Sequence, residues 1–148
     1  MIDNDERFMR MALDEARAAA AEGEVPVGAV VTVGGRVIAK THNLTERLND
    51  VTAHAEMQAI TAAAEALGGK YLTDCTIYVT IEPCAMCAAA LGWAQTGRIV
   101  YGADDKKRGF KKIYGSERGP LHPKTILESG LLADEASEIM KDFFASLR

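Results

Sequence analysis

Four residues of the 148-residue chain have the types and spacing to do chemistry together: His54 and Glu56 in TAHAEMQAI, and Cys84 and Cys87 in PCAMC. Inside a helix, residues two apart point in different directions and cannot share a ligand. At a helix N-terminus both can lean past the helix end, so His54 and Glu56 predict a helix start aimed at a site, with separate jobs for the two side chains. Cys84 and Cys87, three apart, open a second predicted helix. The positive end of a helix dipole lowers thiol pKa values and favours thiolate, the form that binds metal. One imidazole and two thiolates form a borderline-soft donor set that suits zinc. Structural zinc sites usually close with four ligands, so three predict a catalytic centre with an open position for water. Glu56, not needed as a ligand, is then free to move that water's proton. The expectation is one Zn2+ per chain.

Helices must carry these residues to one place, and the hydropathy pattern predicts how. Apolar Phe8, Met11, Ala12, Ala16 and Ala19 recur at helical spacing between Asn4 and about Glu22. EVPVGAVVTV reads as a buried strand, Gly34-Gly35 as a tight turn and RVIAK as the antiparallel partner. The polar loop THNLTERLND leads into the His54 helix, whose expected buried stripe is Met57, Ile60, Ala64 and Leu67, ending at Gly68-Gly69. CTIYVT, RIVYGA and KTILES predict three more strands, PCAMCAAALGWAQ a helix with Pro83 at its first position, and Ala133 to Leu147 a closing amphipathic helix. A hairpin followed by alternating helices and strands implies an α/β fold: a three-layer α/β/α sandwich around a mixed sheet of about five strands. In such sheets, loops at the carboxyl ends of neighbouring strands gather helix N-termini. That is where His54, Cys84 and Cys87 can meet.

Composition narrows the classes. The chain fits one domain, residues 1–148, with 48% hydrophobic and 26% charged residues. No apolar run approaches the roughly 20 residues of a membrane span, and MIDNDERFMR lacks the pattern of a signal peptide. Three cysteines argue for metal binding or reduced thiols rather than a disulfide framework, so a cytoplasmic protein is expected. Net charge is −4, against a generic nucleic-acid coat. Yet five of the seven residues from Lys106 to Lys112 are basic: Lys106, Lys107, Arg108, Lys111 and Lys112. They form a candidate RNA contact.

His-x-Glu followed by Pro-Cys-x-x-Cys is the signature of zinc deaminases acting on nucleobases. Along nearly its whole length the chain resembles the bacterial tRNA adenosine deaminases of the cytidine deaminase-like superfamily, in EVPVGAV, HN, TAHAEMQAI, YVTIEPCAMCAAAL, RIVYGA and GLLADEASEIMKDFF. The resemblance implies adenosine-to-inosine conversion at the wobble position of a tRNA anticodon. It also implies that Asn43 hydrogen-bonds the purine, that the backbone of Ala55 with Pro26 and Val27 lines the pocket, and that Asp105 lies near the flanking nucleotide. A homodimer whose anticodon-loop site draws on both subunits is implied too. The chain departs from the family on the RNA side: KKRGFKKIYGS replaces an alanine-glycine-serine stretch, His122-Pro123 an asparagine-histidine pair, and ASLR an arginine-rich end.

Two alternatives remain open at this point. Trp93, in LGWAQ, is similar to bacterial guanine deaminases and fits a deaminase of free guanine or cytosine. A zinc-stabilised RNA-binding module without catalysis is the other, and a glutamate beside an open metal position argues against it.

Overall fold

The computed structural model describes residues 4–148. Helix α1 (Asn4–Ala21) buries Phe8, Met9, Ala12, Leu13, Ala16 and Ala19, so its apolar face includes Met9 and Leu13, while Met11 is only half-buried. Strands β1 (Gly28–Val33) and β2 (Arg36–His42) form the expected hairpin, with Gly34 and Gly35 at φ 56° and 75°. Positive φ at both central positions is the turn geometry whose twist matches the strands, and glycine adopts it without a Cβ penalty. β1 starts four residues later than its apolar run, because residues 24–27 form an irregular lead-in with a Val27 N–H to Val25 carbonyl bond.

The remaining elements are α2 (Ala55–Leu67), β3 (Cys75–Ile81), α3 (Ala85–Trp93), β4 (Arg98–Ala103), α4 (Phe110–Tyr114), β5 (Ile126–Ser129) and α5 (Ala133–Ser146). The sheet runs β2-β1-β3-β4-β5, antiparallel through β1 and parallel from β3 to β5. α1 and α5 pack on one face, where Phe8, Met9 and Ala12 meet Val30, Tyr78 and Val100. α2 and α3 cover the other, with Ala55, Ala59, Ala63, Ala88 and Leu91 against Val31, Ile77, Val79 and Ile99. The three layers are those expected.

Two local expectations are corrected. The buried face of α2 is Ala55, Glu56, Ala59 and Ala63, not Met57, Ile60, Ala64 and Leu67. Small residues let the helix lie close to the sheet, while Met57, Ile60 and Ala64 sit half-buried at the flank and Leu67 is exposed. Pro83 is not the first residue of α3; Cys84 is its N-cap, and the helix begins at Ala85. The short α4 was not anticipated: five residues show no amphipathic period, and only the glycines at 109 and 115 mark its ends.

Candidate active site and metal centre

His54 is the N-cap of α2 and Cys84 the N-cap of α3, each in extended backbone, and neither side chain caps its own helix. Both turn instead toward the space between the two helix starts. His54 Nδ1 lies 3.6 Å from Cys84 Sγ and 3.4 Å from Cys87 Sγ. Ligands at about 2.0–2.3 Å around a tetrahedral zinc stand on the order of 3.6 Å apart, so these spacings fit such an ion. Among the described residues this is the one group of three or more potential ligands whose donor atoms cluster so closely, all within 4.8 Å.

Charge is already arranged here. The hydrogen bond with Cys87 lowers the Cys84 thiol to about 4, and the same bond pushes Cys87 upward. The hydrogen bond to Cys84 raises His54. The thiolate form of Cys84 is thus favoured beside the imidazole, the form in which a thiol binds metal.

Glu56, the second residue of α2, is 4% exposed and lines the same cavity as His54 and Cys84. Burial dominates its ionisation and pushes the carboxyl up to about 7, in the range where a general acid–base works best at neutral pH. The cavity holds about 240 Å³ and is also lined by Val25, Val27, Asn43, Ala55 and Asp105. This is the scale of a small planar group rather than of a drug-sized ligand. Val25, Val27 and Ala55 line the cavity, whereas Pro26 is buried and does not. The Thr41 hydroxyl donates to the Ala55 carbonyl at 2.7 Å, fixing the first turn of α2.

Two buried carboxylates that the sequence reading passed over hold the loops of the site. Glu24 accepts the backbone N–H groups of Glu46 and Arg47 at 3.0 and 2.8 Å. Glu82 accepts those of Asp105 and Lys111 at 3.1 and 3.0 Å. A Cβ at Gly109 would strike the Glu82 carboxylate, so this glycine lets the chain pass over its own anchor. An acid set within a valine, isoleucine and proline context, as in EVPVG and TIEPC, is the signal that could have found both.

The cavity opens into a groove of about 1060 Å³, and the two share Val25, Ile81, Asp105, Arg108 and Met140. Lys106, Lys107 and Arg108 line the groove, with Lys141, Phe144 and Arg148 from the end of α5 and beyond it. Lys111 and Lys112 are not in its wall. Lys111 pairs with Asp104 at 3.1 Å and lies over the Tyr101 ring, while Lys112 is exposed on α4. The basic run therefore divides, with three members at the groove and two away from it.

The profile of the MafB19-like deaminase family matches residues 3–148. A tRNA-specific adenosine deaminase of Agrobacterium fabrum (strain C58) is 46% identical over 143 residues, covering 95% of this chain and 94% of that protein. A structure from biochemical and structural studies of A-to-I editing by tRNA:A34 deaminases at the wobble position of transfer RNA superposes with TM-score 0.82. It has 46% identity and covers 90% of this chain and 98% of the other. A guanine deaminase of Bacillus subtilis is a weaker match, with TM-score 0.64 and 39% identity over 67% of this chain and 64% of the other. The chain belongs to the MafB19-like deaminase family and, within it, to the tRNA-specific adenosine deaminases.

Proposed function

We propose that the protein is a zinc-dependent hydrolase that converts adenosine to inosine at the wobble position of a tRNA anticodon. One observation carries this reading: a cavity of single-base size, lined by His54 and Cys84 of the three-ligand cluster and by buried Glu56, opens into a basic groove. Residues 1–148 act as one deaminase domain, with one zinc held by His54, Cys84 and Cys87. Bound there, zinc supplies a water acidified to a pKa of about 7. Glu56 accepts one proton of the attacking water and delivers it to ring nitrogen N1 of the adenine, then takes the proton of the new C6 hydroxyl and gives it to the departing amine as the C6 carbonyl forms. Atoms balance as adenosine plus water giving inosine plus ammonia. Asn43 hydrogen-bonds the purine, and the Ala55 backbone and Val27 line the pocket around it. Asp105 faces the neighbouring nucleotide. No described helix is long and apolar enough to cross a membrane. A tRNA substrate, with no disulfide joining the three cysteines, supports a cytoplasmic enzyme.

The groove argues against a free-base deaminase, which has no use for a basic channel beside its pocket. Phosphate contacts release counterions, so turnover of tRNA should fall steeply with salt. Neutralising Lys106, Lys107 and Arg108 together should flatten the dependence by about 2 in log–log slope, at ~0.7 per single-strand phosphate, with zinc content unchanged. Salt-insensitive release of ammonia from guanine, with no inosine formed in tRNA, would move the assignment to free bases. Lys111 and Lys112 should contribute less than these three.

We infer further that the protein acts as a homodimer. Trp93 is 84% exposed at the end of α3, and Ile113 and Tyr114 are exposed on the adjoining α4. Exposed tryptophan and tyrosine are typical anchors of a protein interface. Trp93→Glu should sediment as a monomer where the parent is a dimer; an unchanged dimer would place the interface elsewhere.

A further inference from the structure

We propose that His42 is a positioning residue that sets Asn43 against the base, and that it does so as an imidazolium. The inference rests on the proposed role of Asn43 in base binding. His42 ends β2, one residue before Asn43. Its Nδ1 lies 3.0 Å from Glu15 Oε1 and its Nε2 lies 3.0 Å from Glu22 Oε2. Ionised carboxylates only accept, and a neutral imidazole carries one N–H. Two short contacts of this kind require both nitrogens to donate, which only the protonated ring can do.

The same residue is gripped from the opposite side of the sheet. Its carbonyl accepts from Gln58 Nε2 at 2.8 Å, and Gln58 sits two positions after Glu56 on α2. His42 therefore ties α1 to the helix that carries the proton shuttle. The Asn43 side chain, by contrast, is held loosely: its amide lies 3.5 Å from Glu24 and 3.4 Å from Thr45. Such long contacts orient weakly, so its placement depends on the backbone from which it hangs. That backbone is fixed by His42 and by the Asn43 N–H to Val27 carbonyl bond at 3.1 Å.

The charged groups facing the ring are Glu15 from α1 and Glu22, one residue past its end. Lys40 shares its face of β2 by the two-residue period, β1 presents Gly28 opposite, and α2 presents neutral Gln58. Burial works against the charged ring, but the hydrogen bonds to Glu15 and Glu22 outweigh it and hold the pKa above 6.5. With the folded value raised, the clamp is fully present below the ordinary histidine pKa and is lost as pH rises through the raised one. Deprotonation leaves one carboxylate facing a ring lone pair and only one N–H bond, and so loosens the end of β2 against Glu15 and Glu22. The effect belongs in KM for RNA and not in kcat, because Glu56 and the metal ligands stay where they are.

The test pairs NMR titration of His42 in the zinc-loaded protein with pH profiles of inosine formation in an anticodon stem-loop. In the parent, KM should rise with the same midpoint as the His42 titration, while kcat at saturating RNA keeps one pH profile, set by Glu56, in the parent and in every His42-clamp variant. The double variant Glu15→Gln/Glu22→Gln should move both midpoints down by about one pH unit or more, and His42→Gln should abolish the inflection and raise KM about tenfold. A KM flat across the His42 titration, or a variant that lowers kcat alone, overturns the inference. If no inosine forms, the proposed function fails instead. The Asn43 side-chain amide signals then decide the clamp by themselves, tracking the His42 midpoint if it exists and ignoring it if it does not.

Discussion

Glu56→Ala is expected to keep its full zinc content and lose at least about 10³ in turnover. The carboxylate is buried beside His54 and Cys84 yet is not one of the three clustered ligands, so its removal leaves the donor set intact. What disappears is the one buried carboxylate placed to move a proton from water to base and then to the leaving amine. General acid–base groups contribute roughly 10²–10⁴, and a residue serving successive transfers belongs at the upper end. Glu56→Gln should lose nearly as much, since it restores shape and hydrogen bonding without a titrating proton. Metal analysis with single-turnover inosine formation checks both. Loss of zinc with unchanged turnover per remaining metal would make Glu56 a ligand instead.

The second large effect is expected from Cys87→Ala, which should abolish stoichiometric zinc and lower stability together. Cys87 is fully buried, in the first turn of α3, with His54 Nδ1 at 3.4 Å. Two ligands bind zinc far more weakly than three, and a metal that binds only the folded chain stabilises it by linkage. The fold has its own core, so the variant should still fold. Its melting temperature should fall on the order of 10 °C, as for a loss of about 3 kcal/mol in a domain of this size. Chelation of the parent should reproduce most of that drop, and the variant should be insensitive to chelator. A variant that retains one tightly bound zinc would remove Cys87 from the ligand set.

The cluster of His54, Cys84 and Cys87 with Glu56 beside it was legible because its information is local. His54, Glu56, Cys84 and Cys87 declare themselves by residue type and short spacing at helix starts. Glu24 and Glu82 act across 22 to 29 positions on backbone amides, and backbone partners leave no mark in side-chain identity. The error over α2 had another source. In AEMQAITAAAEAL, alanine stands on every side, so the period alone cannot say which stripe faces inward. The larger residues drew the expectation, and the close approach of helix to sheet selected the smaller ones. The division of the basic run could not be foreseen either, because it depends on the turn that Glu82 and Gly109 impose on the loop.

The two buried glutamates bear on how such an enzyme can change its substrate. Each grips its loop by short bonds from main-chain N–H groups, at residues 46 and 47 for Glu24 and at 105 and 111 for Glu82, while the Asn43 amide and Thr45 hydroxyl reach Glu24 only at 3.5 Å. A main-chain grip is blind to the side chains it holds. Substitutions along these loops can rewrite what the rim touches while the loop keeps its path and the metal centre keeps its geometry. The scaffold thereby separates heritable variation in recognition from the reaction itself. New substrates become reachable by single steps, none of which must pass through an inactive catalyst.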